Sequence, residues 1–224
     1  MTRPIAVLRP EPGNAATADR IAALGLAAIR LPLFEVRALD WAPPDPAGFD
    51  ALLLTSANAP RLAGPGLAAL RRLPVFAVGE VTATVARAAG LDVTFTGSAD
   101  GAALLSAAAG RGVRRALLLA GRDRAMADDP VIERAIAVYA SIERDLAATD
   151  LLPLAGSVAL IHSPRAARRF AELADTAGLD RATVRLAAIS ATAADAAGIG
   201  WDRITAATIP DDATLLDLAR ALAD

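Results

Sequence analysis

The feature that most constrains this chain is a duplication: the stretch Asp50 to Gly90 is echoed by Ser157 to Gly198. In the first copy an apolar run, Ala51 to Leu54, ends in Thr55-Ser56-Ala57-Asn58. A helical stretch follows, and then Val75 to Val78 leads through Gly79 into Thr82-Ala83 and a second helix. In the second copy Val158 to Ile161 ends in His162-Ser163-Pro164-Arg165-Ala166, and Leu186 to Ile189 leads through Ser190 into Thr192-Ala193 and an Ala-rich helix. Self-similarity on this scale marks two copies of one supersecondary unit. Strand alternating with helix inside each copy implies parallel sheets. The expected fold class is α/β: two similar parallel-sheet domains with a ligand cleft between them, joined by a two-stranded connector.

The 224 residues suffice for two small domains. Strand-like Ile5 to Leu8 is followed by Arg9-Pro10-Glu11-Pro12-Gly13 and a helix from Ala15 to Leu24 that stops at Gly25, the usual C-terminal signal. Ala28 to Arg37 is extended in character and runs into the Pro-rich linker Trp41 to Pro46. Between the copies lie strand-like Val93 to Phe95, a helix near Gly101 to Ala109, and the run Ala116 to Ala120, which reads as a strand buried on both faces. A second extended piece, Ile136 to Ala140, mirrors the first. If the two pieces lie side by side as connectors 33–39 and 136–142, the domains interleave. Residues 1–35 plus 143–224 then form a discontinuous α/β domain and 39–137 a second one. Short paired connectors permit hinge motion.

Composition narrows the function classes. Hydrophobic residues make up 54% but aromatics only 4%, so the core is expected to be built from Ala, Leu, Val and Ile. No apolar run reaches the roughly 18 residues of a membrane span, and the early strand leaves no room for a secretion signal, so no membrane partner and a cytoplasmic location are expected. Cysteine is absent and His occurs once, which excludes disulfides, thiolate catalysis, and Cys-based or multi-His metal sites. A net charge of −2 without a basic run argues against nucleic-acid binding. All 23 basic residues are Arg, which suits bidentate carboxylate recognition, although GC-rich coding bias accounts for the same usage.

In open parallel sheets ligands bind beyond the carboxyl ends of the strands. The residues expected there are Arg9, Thr55, Ser56, Gly79, Gly121, Arg122, Ser163 and Ser190. Hydroxyls, glycines and arginines at helix N-termini suit oxyanions such as carboxylates or phosphates, though any one Ser or Thr is equally an ordinary N-cap. Dinucleotide, P-loop, esterase and zincin signatures are absent. His162 reads first as a packing residue. Tyr139, the single tyrosine, lies on the second connector and reads either as hinge packing or as a hydroxyl facing the cleft. Asp128-Asp129 reads as a solvated turn. Arg165 and Arg169 share a helix face.

Taken in order, Val7-Leu8-Arg9-Pro10, Leu24-Gly25, Leu31-Pro32-Leu33, Leu54-Thr55-Ser56-Ala57-Asn58-Ala59, Ala77-Val78-Gly79 with Thr82-Ala83, Leu117-Leu118-Leu119, Val138-Tyr139, Ser163-Pro164-Arg165-Ala166 and Thr192-Ala193 resemble the uroporphyrinogen-III synthase family over nearly the whole chain. The resemblance implies a cofactor-free, metal-free, monomeric lyase of tetrapyrrole biosynthesis. Such an enzyme converts hydroxymethylbilane, a linear tetrapyrrole, into uroporphyrinogen III by losing water, closing the ring and inverting the last pyrrole through a spirocyclic intermediate. The linear substrate also closes unaided to the wrong isomer, so the enzyme's task is orientation. On the resemblance, Tyr139 assists hydroxyl departure as a general acid. Arg9, Thr55, Ser56, Asn58, Gly79, Thr82, Arg122, Ser163, Arg165, Ser190 and Thr192 bind substrate.

Two departures from the family pattern stand out. Ser190 occupies a position where the family often has Gly, and the segment Arg122 to Tyr139 is short, without the usual helix and Gly before the connector. A non-catalytic hinged module that binds a tetrapyrrole or other small polyanion is the second reading. Isomer analysis of the product separates the two.

Overall fold

The computed structural model describes residues 2–97, 100–123 and 129–224. The chain divides into two compact units, one formed by Met1–Glu35 with Glu143–Asp224 and the other by Val36–Ile142.

In the first unit the chain runs through β1 (Ile5–Val7), α1 (Gly13–Ala23) and β2 (Ala28–Arg30) before it leaves. The chain leaves the first unit along β3 (Phe34–Ala38), whose Phe34 and Glu35 still belong to that unit; the second unit holds β4 (Ala51–Leu54), α2 (Asn58–Leu62), β5 (Val75–Val78), α3 (Gly79–Ala88), β6 (Val93–Gly97), α4 (Gly101–Gly110), β7 (Ala116–Gly121) and β8 (Ile132–Glu143) up to Ile142. The chain then completes the first unit with α5 (Ala148–Leu151), β9 (Val158–Ile161), α6 (Pro164–Ala177), β10 (Arg185–Ala188), α7 (Ala191–Asp195), β11 (Arg203–Ala206) and α8 (Asp212–Ala223).

The strand orders explain the duplication. One sheet reads β11-β10-β9-β1-β2 and the other β3-β8-β7-β4-β5-β6. Strands β9, β10 and β11 therefore correspond to β4, β5 and β6, while β1 and β2 correspond to β7 and β8. The same five-strand pattern is entered at a different point in each unit. Pairings β1–β2, β1–β9, β9–β10 and β10–β11 are parallel, as are β4–β5, β4–β7, β5–β6 and β7–β8. The sheets are mixed into an α/β architecture, as the alternation of strand and helix requires.

Each sheet is buried on both faces, and side-chain alternation along the strands sorts the core into two layers. In the first unit Ala6, Ala159, Ile161, Leu186 and Ala188 face α6, where Phe170 is fully buried and stacks on Trp201 at 5.0 Å. Ile5, Val7, Val158, Leu160 and Ala187 face α1 and α8 through Ile21, Leu215 and Ala219. In the second unit Leu52, Leu54, Val75, Leu117 and Leu119 pack with Ala59 and Ala86, whereas Ala51, Leu53, Phe76 and Leu118 pack with Leu104 and Ala108. Ala and Leu make up most of the helix faces, and the buried rings are few, Phe34, Phe170 and Trp201 in the first unit and Phe76 in the second.

The two copies share topology but not detail. After β4 the helical stretch is the short α2 followed by a 3-10 segment, Gly64–Leu70, because Gly64-Pro65-Gly66 interrupts the turn; after β9 it is the fourteen-residue α6. The second helix of each copy also differs, ten residues in α3 against five in α7. The extended pieces 33–39 and 136–142 are neighbouring strands of the second sheet: β3 is its edge and β8 lies between β3 and β7, with Leu39 N–H donating to Val138 O at 3.0 Å, and β8 begins as early as Ile132. Within the Arg122 to Tyr139 segment, Ile132 onward is strand, and residues 124–128 lie outside the described residues. Asp129 Oδ1 accepts from Val131 N–H in a tight turn, and Asp128 lies outside the described residues.

Candidate functional site

In the first unit the strand order is that of a doubly wound sheet in which connections leave β1 and β9 in opposite directions, so a ligand crevice is expected at their carboxyl ends. Arg9 follows β1 and His162 follows β9. Both meet Asp212, which opens α8. Arg9 Nη1 and Arg20 Nη2 donate to Asp212 Oδ2, the latter at 2.8 Å, and His162 Nε2 stands 3.4 Å from Oδ1. At 3.4 Å the histidine contact is an electrostatic approach rather than a well-formed hydrogen bond. His162, and after it Arg20 and Arg9, hold the Asp212 carboxyl well below the usual carboxylate range against the burial that would raise it. Buried Asn14 fixes the loop beneath, donating to Val7 O at 2.7 Å and Arg9 O at 3.0 Å and accepting from Arg30 Nε at 3.0 Å.

Three of the helices opening at this end of the first sheet, α6, α7 and α8, are capped by side chains; α1 has no such cap at Pro12, and Glu11 Oε2 accepts from Ala15 N–H in its first turn at 3.0 Å. Ser163 Oγ accepts from Ala166 N–H at 3.1 Å, Ser190 Oγ from Ala193 N–H at 3.3 Å, and Asp211 Oδ1 from Thr214 N–H at 2.7 Å. Thr192 is exposed and its hydroxyl lies 2.9 Å from that of Ser190. Arg165 lies over the Phe34 ring at 4.6 Å, while Arg169 turns to Glu143 at 3.4 Å. Ser190 has extended backbone, φ −157°, so this turn makes no demand for glycine.

The equivalent crevice of the second unit lies between β4 and β7. Here Thr55, Ser56 and Asn58 follow β4, Gly121 and Arg122 end β7, and Gly79 opens α3 beside them in the sheet order. Neither α2 nor α3 has a side-chain cap. Ser56 Oγ accepts from Asn58 N–H at 3.2 Å, a local turn rather than an N-cap. Gly79 has φ +75°, a conformation side chains resist, so this turn does require glycine. Its first-turn N–H groups carry partial positive charge without a side-chain acceptor. Thr82 is only 5% exposed, because the first turn of α3 rotates it inward, and it offers little surface to a ligand. The turns after β5 and β10 also differ by a residue: Gly79 precedes Thr82 by three positions, Ser190 precedes Thr192 by two.

Tyr139 stands opposite Gly121 in the β7–β8 register, and its carbonyl accepts from Arg122 N–H at 2.9 Å. The ring packs on the edge of the Leu52–Leu54 core layer. Arg122 itself is exposed at the strand tip. A cavity of about 340 Å³, lined by Asp50, Phe76, Thr94 and Arg111 among others, opens at the other, amino-terminal end of this sheet and belongs to a different surface. Among the described residues no group of three or more His, Asp or Glu side chains gathers as a metal site, and no helix is long and apolar enough to cross a membrane.

Sequence reasoning located the strand-tip residues but missed Asp212 and the pairing of Arg9. The available signal was Asp211-Asp212 ahead of an apolar-periodic helix, an acidic N-terminus that attracts nearby arginines.

Residues 15–217 match the family described as uroporphyrinogen-III synthase HemD. Among solved structures, the uroporphyrinogen-III synthetase of Helicobacter pylori is 20% identical with a TM-score of 0.67, over 98% of this chain and 99% of that one. The uroporphyrinogen III synthase of Thermus thermophilus is 17% identical with a TM-score of 0.40, over 99% of this chain and 100% of that one. No curated protein sequence matches significantly. The family match spans nearly all of the α/β framework just described, and the chain belongs to the uroporphyrinogen-III synthase family of cyclising lyases.

Proposed function

We propose that this chain closes hydroxymethylbilane to uroporphyrinogen III at the carboxyl end of the Val36–Ile142 sheet. The observation that carries the assignment of this end is the contrast between the two crevices. In the first unit α6, α7 and α8 are capped by Ser163, Ser190 and Asp211, Glu11 accepts from Ala15 N–H in the first turn of α1, and Arg9 is paired with Asp212. In the second, α3 opens without a side-chain cap next to the hydroxyl-bearing turn Thr55-Ser56. Uncapped N–H groups and a positive helix end favour substrate carboxylates.

On this reading Tyr139 donates its phenolic proton to the departing hydroxyl, which leaves as water, and the resulting electrophilic terminus is attacked by the substituted carbon of the terminal pyrrole. Holding the chain bent during that step suppresses the unaided closure that gives the type I isomer. Thr55, Ser56, Asn58, Gly79 and Arg122 contact substrate. The reading extends to a monomer acting in the cytoplasm, which size-exclusion chromatography and cell fractionation test.

Incubating purified protein with freshly generated hydroxymethylbilane and separating the product isomers by chromatography tests the activity. Type III isomer is expected; type I alone overturns the proposal and leaves a binding module. Tyr139→Phe is expected to slow turnover and raise the share of type I. Wild-type turnover and isomer ratio in that variant remove the role given to the phenol.

A further inference from the structure

We infer that Gly121 is a positioning residue for Tyr139, a cradle whose missing side chain brings the phenol to the tip of β7. The inference rests on the reading that Tyr139 acts on substrate.

The two residues are register partners on adjacent parallel strands, so their side chains belong on one face of the sheet. At Gly121 there is no side chain, and the tyrosine ring occupies the space. A Cβ built on Gly121 would lie 2.8 Å from Tyr139 Cε2, 2.9 Å from Cζ and 3.1 Å from the hydroxyl oxygen. Those distances are below van der Waals contact for carbon. The glycine therefore touches the hydroxyl-bearing end of the ring, not its base.

The backbone holds the pair in place. The register shifts between Ala120 and Gly121, and Arg122 N–H donates to Tyr139 O at 2.9 Å, so the end of β7 is tied across to the tyrosine itself. Below the pair, Val138 and Ala140 are fully buried, which anchors the strand on either side of Tyr139. With the strand fixed, only the ring can yield. Gly121 is not in a positive-φ conformation, so backbone strain does not explain glycine there; the close approach of the ring does. A methyl group at 121 moves the hydroxyl, and misplacing a reacting group by about an ångström costs up to about 100-fold in rate.

The test compares Gly121→Ala, Tyr139→Phe and the double variant with the parent chain, reading kcat, KM, the type III to type I ratio and thermal midpoint. Gly121→Ala is expected to lower kcat about ten-fold or more, to raise the type I share, and to leave KM within about two-fold. In the double variant the glycine substitution should add nothing to Tyr139→Phe, because the group it positions is gone. Multiplying losses mean independent action and overturn the inference. Parent-like kcat and isomer ratio in Gly121→Ala overturn it while leaving Tyr139 as the acid if Tyr139→Phe is impaired. A parent-like Tyr139→Phe instead removes the reading on which it rests. Tyr139 is the chain's single tyrosine. Ring-labelled tyrosine therefore gives one assignable NMR signal, and cross-relaxation between that ring and the Gly121 Hα protons is expected in the unsubstituted protein. Its absence refutes the cradle even if Gly121→Ala does not fold.

Discussion

Replacing Asp212 by Asn tests the electrostatic reading of the first unit. The substitution keeps the shape of the side chain and removes the charge on which Arg9, Arg20 and His162 converge. The side chains are 31%, 46% and 30% exposed for Arg9, Arg20 and Asp212, so neither arginine pair is a buried ion pair. Partly exposed pairs contribute about 0.2–1 kcal/mol each. An acidic residue in the first turn of a helix, as Asp212 is in α8, adds about 0.3–1 kcal/mol. The expected loss is about 1–3 kcal/mol at neutral pH. The chain has two tryptophans, Trp41 in one unit and Trp201 in the other, so in a Trp41→Phe background the fluorescence of Trp201 follows the first unit alone during urea unfolding. Because the folded-state pKa of Asp212 is depressed, its stabilisation is fully present above the unfolded carboxylate value near pH 4 and is lost as pH falls toward the lower folded value. The two proteins should therefore differ at pH 7 and at pH 5 and converge in more acidic solution. A difference smaller than about 0.3 kcal/mol at pH 7, or one that grows on acidification, refutes the reasoning.

Three local substitutions check the contrast between the crevices. Gly79→Ala forces a side chain into φ +75° and should destabilise the second unit by about 1 kcal/mol, visible as a lower urea midpoint by Trp41 fluorescence in a Trp201→Phe background. An unchanged midpoint would mean that the turn relaxes. Ser163→Ala removes the N-cap of α6 and should cost about 1 kcal/mol, whereas Ser56→Ala, which loses a turn contact and no cap, should cost less than about 0.5 kcal/mol. Equal costs in thermal melts would contradict the different roles given to the two serines.

Strand tips were legible in the sequence because burial on both faces leaves a strong signature. Ala51 to Leu54, Ala116 to Ala120 and Val158 to Ile161 are short apolar runs that stop abruptly at hydroxyls, glycine or histidine. The helices after them were less legible. Gly64-Pro65-Gly66 breaks one into a 3-10 segment while Pro164, at the first position of α6, starts the other, and repeat similarity alone does not separate those outcomes. Similar motifs also hid different caps, since Ser56 and Ser163 sit in the same Ser-x-x-Ala frame but bond two and three residues ahead.

By itself the sequence determined the α/β class, the duplicated strand–helix order and the family, because periodicity, turn residues and motif order are local properties written along the chain. Tertiary structure decided which groups meet. Arg9 reaches Asp212 and Gly121 lies under Tyr139 only because parallel strands far apart in sequence are set side by side, with a register that no single segment encodes.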